Sequence, residues 1–174
     1  DFSYPWRARG LESVNASNPV IVDDHVLISE CYEIGASLLK VKPGGYDVVW
    51  KDGRKRDQSL ATHWNTPIFH DGFVYAELKC VEFNSGKVRW SEPGLTRSSL
   101  LYVDGHFVCQ CEDGVLRLIA ARADKYEEVA TMELSVDEKP LLNYPAWSAP
   151  VLSHGLLYVR GKDRLVCLEL IPEK

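Results

Sequence analysis

The side chains best equipped for chemistry fall into three groups: histidines, cysteines, and a set of large aromatic and polar residues. The five histidines divide four to one. His25, His70, His106 and His154 each lie beside an Asp- or Gly-containing turn between two apolar runs, where a polar ring is ordinary turn chemistry. His63 stands apart, in Thr62-His63-Trp64-Asn65-Thr66. The five cysteines, Cys31, Cys80, Cys109, Cys111 and Cys167, form no Cys-x-x-Cys and no Cys-x-x-Cys-His, so neither a zinc site nor a covalently attached haem is expected. Their strand-like contexts point to buried structural thiols. Cys109 and Cys111 are two apart, and on a strand both face one side. The acidic pairs Asp23-Asp24 and Glu127-Glu128 fall in turn and edge contexts. No Ser/His/Asp set, phosphate loop or metal motif stands out.

The third group is defined by position. His63, Trp64, Asn65, Arg97, Trp147 and Asn15, with the hydroxyls of Ser17, Ser98 and Ser148, all precede an apolar run by a few residues. Trp64, Arg97 and Trp147 each stand three residues before such a run. Aromatic walls with a few polar groups suit a ligand pocket, and a guanidinium can hold a carboxylate through two hydrogen bonds. The competing reading is that the indoles pack between elements and the polar groups bond one another.

Those apolar runs are copies of one another. Pro19–Asp24, Pro67–Gly72, Leu100–Gly105 and Pro150–Gly155 each lead through a short turn into a second run: Val26–Ile28, Phe73–Tyr75, Phe107–Cys109 and Leu156–Tyr158. This is hairpin patterning. A third strand is expected at 37–41, 78–83, 115–120 and 164–170. A fourth is expected at 46–50, 87–90 and 126–134, but not in the last copy. Copies start 48, 33 and 50 residues apart, about the length of a propeller blade. No helical period is present. The expectation is an all-β chain: a β-propeller of about four four-stranded antiparallel blades, either a small closed ring or half of a larger one. One domain, 1–174, is expected, with blades near 15–52, 63–93, 96–135 and 146–174. Residues 1–14 would give a strand to an adjoining blade, with Trp6 in a docking position. In such a ring the segments before the first strands converge on the mouth of the central channel, which makes the third group one candidate site. The second copy is irregular: Tyr75-Ala76-Glu77-Leu78 joins two strands with no Gly, Pro, Asn or Asp, so residues are expected to be missing there.

Val81-Glu82-Phe83-Asn84-Ser85-Gly86-Lys87-Val88-Arg89-Trp90 resembles the tryptophan-docking motif of the quinoprotein (PQQ-like) propeller repeats: a small-Gly-Lys turn, then Trp three residues on. Leu39 to Trp50 is a looser copy. The resemblance covers nearly the whole chain, and it implies that Trp50 and Trp90 pack each blade on its neighbour. It also implies an extracytoplasmic protein, similar to outer-membrane assembly lipoproteins of the family. Cofactor-using members add a catalytic Asp, a calcium site and often a vicinal Cys-Cys disulfide. Cys109-Gln110-Cys111 departs from that last feature, which puts bound PQQ in doubt.

A formal net charge of −5 argues against nucleic acid, whose phosphates need a basic face. Lys51 to Arg56 is broken by Asp52 and Gly53 and reads as a solvated loop. No apolar run approaches the ~20 residues of a membrane helix. The expected function is therefore a non-catalytic scaffold binding a protein, a peptide or a small molecule at the channel mouth, with a second half-propeller as a further expected partner. The alternative is a PQQ-dependent oxidoreductase or a fragment of one.

Overall fold

The computed structural model describes residues 1–7, 15–32, 34–53, 58–93 and 97–171. Among these the chain is all β, in seventeen strands with no helix. Blade one is β1 (Val20–Val22), β2 (His25–Glu30), β3 (Gly35–Lys42) and β4 (Gly45–Lys51). Blade two is β5 (Ile68–His70), β6 (Phe73–Ala76), β7 (Lys79–Glu82) and β8 (Val88–Ser91). Blade three is β9 (Ser98–Val103), β10 (His106–Cys111), β11 (Leu116–Ala120) and β12 (Glu128–Met132). A small hairpin follows, β13 (Ser135–Val136) with β14 (Lys139–Pro140). Blade four is β15 (Val151–Ser153), β16 (Leu156–Arg160) and β17 (Leu165–Glu169). Each blade is an antiparallel meander in chain order, with three strands described in the fourth.

The turns explain why the meanders form where they do. Asp71-Gly72, Asp104-Gly105 and His154-Gly155 all have positive φ at both residues. That is the twist a two-residue hairpin turn needs, and Gly supplies it without a steric penalty. The second hairpin of blade two is different. Ala76 pairs with Lys79, so Glu77 and Leu78 alone close it, at φ of 46° and 57°. A glutamate and a leucine adopt the conformation that Asp-Gly adopts elsewhere. The misfit visible in the sequence is thus present as backbone strain, on the order of 1 kcal/mol or more per residue.

The chain forms two compact units, each described separately: Asp1–Pro93 with Ala123–Lys125, and Gly94–Arg122 with Tyr126–Lys174. In the first unit, blades one and two enclose a core that includes Leu27, Ala36, Leu38, Val74, Val81 and Phe83. Trp50 packs against it, its Nε1 donating to the Phe83 carbonyl at 2.8 Å. The fit is close: a Cβ on Gly86 would lie 2.8 Å from the Trp50 ring. The docking indole therefore sits on the turn of the next blade. In the second unit Leu116, Leu142, Leu157 and Val159 form the corresponding core.

Residues 1–7 carry no strand. They lie on blade one through their rings: Phe2 and Tyr4 against Tyr46, Tyr4 stacked on Trp6, and Lys51 over both Tyr4 and Trp6. The Tyr4 hydroxyl is 3.1 Å from Ser37 Oγ. Residues 8–14 of the same segment lie outside the described residues.

Candidate functional site

The segment entering blade two is stitched to the end of β2. Thr62 N donates to Ser29 Oγ at 3.2 Å, and the Thr62 carbonyl accepts from Cys31 N at 2.9 Å. This fixes the backbone that presents His63. Glu77 Oε1 then accepts from the His63 amide at 3.1 Å and lies 3.2 Å from its Nδ1. Tyr32 meets the imidazole edge-on at 5.3 Å, and Trp64 tilts against it at 5.6 Å. His63 and Glu77 are largely buried, at 16% and 18% side-chain exposure. Asn65 is buried, and its Nδ2 has no hydrogen-bond partner among the described residues. Asn15 is exposed and its amide reaches the Trp6 carbonyl at 3.4 Å. The first unit thus brings His63, Trp64, Tyr32 and Glu77 together.

In the second unit the turn after β10 does the same work. Glu112 N donates to the Arg97 carbonyl at 2.8 Å, and the Glu112 carbonyl accepts from Ala146 N at 2.9 Å. Its carboxylate accepts from Trp147 Nε1 at 3.2 Å, while Ser99 Oγ donates to the Trp147 carbonyl at 3.2 Å. Fully buried Gln110 donates to the carbonyls of Ala146 and Arg160 at 3.1 and 2.7 Å. Trp147 is held at both ends yet 45% exposed, with Tyr144 edge-on at 6.3 Å. Arg97 and Trp147 are therefore joined through one residue, Glu112.

Glu77 and Glu112 are the candidate-site residues that the sequence reading did not include. Both lie just after the second strand of a blade, and both face the aromatic of an entry segment. Their shared position directly after a second strand is visible in the repeat, but nothing in the sequence says which side chain each carboxylate meets. The remaining histidines make local contacts: His25 with Asp24, His70 with Asp71, His106 with the Asp104 carbonyl and His154 with Ser153.

Cys109 and Cys111 are both buried on β10. Cys111 is drawn down to about 7, first by the hydrogen bond from the Cys109 thiol and then by the Arg117 guanidinium, against the opposing effect of burial. Cys109 is pushed well above the ordinary thiol range by that same shared hydrogen bond and by burial. Arg117 also holds Glu128 at 2.6 Å. Burial raises Cys80 to about 11, as suits a structural thiol.

No family model matches the chain, and no curated protein matches it. Solved structures do. The chain is similar to the computationally designed Ika8 protein, with a TM-score of 0.64 at 12% identity over 94% of this chain and 48% of that one. It is similar to BamB from Moraxella catarrhalis, with a TM-score of 0.57 at 16% identity over 89% and 46%. A europium-containing methanol dehydrogenase follows, with a TM-score of 0.54 at 11% identity over 82% and 29%. The chain spans about half the length of the first two and less of the third. These likenesses show the fold, a β-propeller of antiparallel blades.

PQQ is a polyanion, and the residues present fit it poorly. Two entry aromatics, His63 and Trp147, face carboxylates, Glu77 and Glu112, where an anionic cofactor would need donors. Among the described residues no three His, Cys, Asp or Glu side chains are placed to hold a metal ion.

Proposed function

We propose that this chain is a non-catalytic β-propeller scaffold that binds a protein or peptide segment through the entry segments of its blades, with His63, Trp64, Asn65 and Asn15 serving in the first unit and Arg97 and Trp147 in the second. The observation that carries the reading is Trp147: its indole Nε1 donates to Glu112 and its backbone carbonyl accepts from Ser99, yet it is 45% exposed. A large aromatic left in water is costly, and one already fixed in place loses little entropy on binding. Rigid, half-exposed Trp and Tyr side chains are the usual anchors of protein interfaces. Tyr144 beside Trp147, and Tyr32 with Trp64 around His63, supply further aromatic surface of the same kind. The likeness to BamB supports an extracytoplasmic setting. The half-length match supports pairing with a second half-propeller.

Selection of a random peptide library on the protein, with Trp147→Ala and His63→Ala as counter-targets, tests this. Binders should lose about tenfold or more in affinity on either variant, with melting temperatures near the parent's. Binders indifferent to both substitutions would remove the entry segments from the site. A quinone chromophore released when natively purified protein is denatured would overturn the scaffold reading in favour of an oxidoreductase.

A further inference from the structure

The repeat places an indole between blades one and two and a cavity between blades three and four. Strand pairing sets the correspondence. Leu27 pairs with Leu38, and Leu38 with Trp50; Val108 pairs with Leu118, and Leu118 with Ala130. A β-bulge follows at the same point in each blade, after Leu38, after Cys80 and after Leu118. Ala130 therefore stands where blades one and two carry Trp50 and Trp90. On the receiving side, Phe83 N donates to the Gly72 carbonyl and Leu170 N to the Gly155 carbonyl, so Leu170 is the counterpart of Phe83.

An apolar cavity of about 290 Å³ opens at this point. Arg117, Thr131 and Met132 border it, and its apolar wall is made by Val108, Leu116, Leu118, Ala130, Leu157 and Leu170. Their counterparts are Leu27, Ala36, Leu38, Trp50, Val74 and Phe83, which all belong to the core that the Trp50 indole completes. The cavity is thus the tryptophan-docking site of blade three with its tryptophan replaced by alanine. Its walls keep their apolar character, and by the same strand correspondence the Leu170 carbonyl is the counterpart of the Phe83 carbonyl that accepts from Trp50 Nε1.

We propose that this cavity is a binding site for a small planar aromatic molecule with a ring N–H, of the indole class. An apolar cavity of about 150 Å³ holds benzene, and this one has the volume for a bicyclic ring. The apolar walls supply the affinity and the Leu170 carbonyl supplies the preference for an N–H. The same chain demonstrates the mode of binding, since Trp50 makes that set of contacts from within.

Titration of the intact protein with indole, followed by NMR of side-chain methyl groups, tests this. Shifts should concentrate at Ala130, Leu157 and Leu170, with a dissociation constant on the order of 1 mM or tighter. Ala130→Trp, which restores the missing ring, and Ala130→Phe, a smaller filler, should each abolish the response. 1-Methylindole, which cannot donate, should bind roughly two- to tenfold more weakly. Absence of binding to the parent, or equal binding by both filled variants, would overturn the site. Equal affinity for the two indoles would overturn the role of the Leu170 carbonyl. Concentration-dependent dimerisation that Ala130→Trp abolishes would place a side chain of a second copy in the cavity and overturn the small-molecule reading.

Discussion

The two units solve one packing problem in different ways. In the first, Trp50 crosses from blade one to blade two, fills the space over Leu27, Leu38 and Val74, and closes with a hydrogen bond. In the second, the same strand positions carry Ala130 and leave about 290 Å³ open. The scaffold positions correspond residue for residue, so the strand framework does not depend on the docking indole. The contrast teaches that in this repeat the hairpins and their register build the blade, while the tryptophan cements one blade to the next.

The strongest way to break the comparison is to remove the cement where it exists. Trp50→Ala should destabilise the first unit by about 3 kcal/mol, since a large packed ring and a hydrogen bond are lost together. Thermal melts should fall by roughly 6–12 °C, and an unchanged melt would mean the ring contributes nothing. Gly86→Ala comes next, at about 2 kcal/mol. Its φ of +71° disfavours any side chain, and its new Cβ would meet the Trp50 ring. In a Trp50→Ala background the second cost should vanish and only the backbone cost remain, a non-additivity that urea melts can read.

Ala130→Trp runs the comparison in reverse. Filling the cavity should stabilise the second unit by about 1–2 kcal/mol. Leu116 stands where the first unit has the smaller Ala36, so a loss instead would show that this residue has already taken the space. The smallest effect distinguishes the thiols of the second unit. Cys111 is lowered to about 7 from an ordinary value near 9, so the unfolded chain binds more protons than the folded one between those values. Stability should therefore rise with pH from about 7 to about 9, by on the order of 1 kcal/mol, and fall as pH drops back through 7. Above about 9, raised Cys109 and Cys80 reverse the slope. Denaturant melts across pH 6–10 should show the climb in the parent and lose it in Cys111→Ser.

Much of the fold was legible in the sequence because its signals are local. Asp-Gly turns flanked by Val, Ile, Leu, Phe and Tyr specify hairpins without reference to the rest of the chain, and the three fourth strands lie within two residues of expectation at every end. The widest offset is at β12, where the polar stretch from Ala121 to Glu127 blurs the start. That same stretch concealed the position equivalent to Trp50, because the bulge and the long bend break any fixed spacing. An alanine also gives no sign that it stands in place of a tryptophan. For the candidate site, the sequence marked His63, Trp64, Arg97 and Trp147 by their place before each blade. It could not mark Glu77 and Glu112, whose role depends on which side chains cross from one loop to the next.

The aromatic attachment of residues 1–7 has a mechanical consequence. A strand added to a sheet resists pulling along its length, because many backbone hydrogen bonds load at once. Phe2, Tyr4 and Trp6 are held instead by ring contacts to Tyr46 and Lys51. A pull from the amino terminus loads these rings one after another. The segment should peel from blade one at low force while the four strands beneath it remain in register.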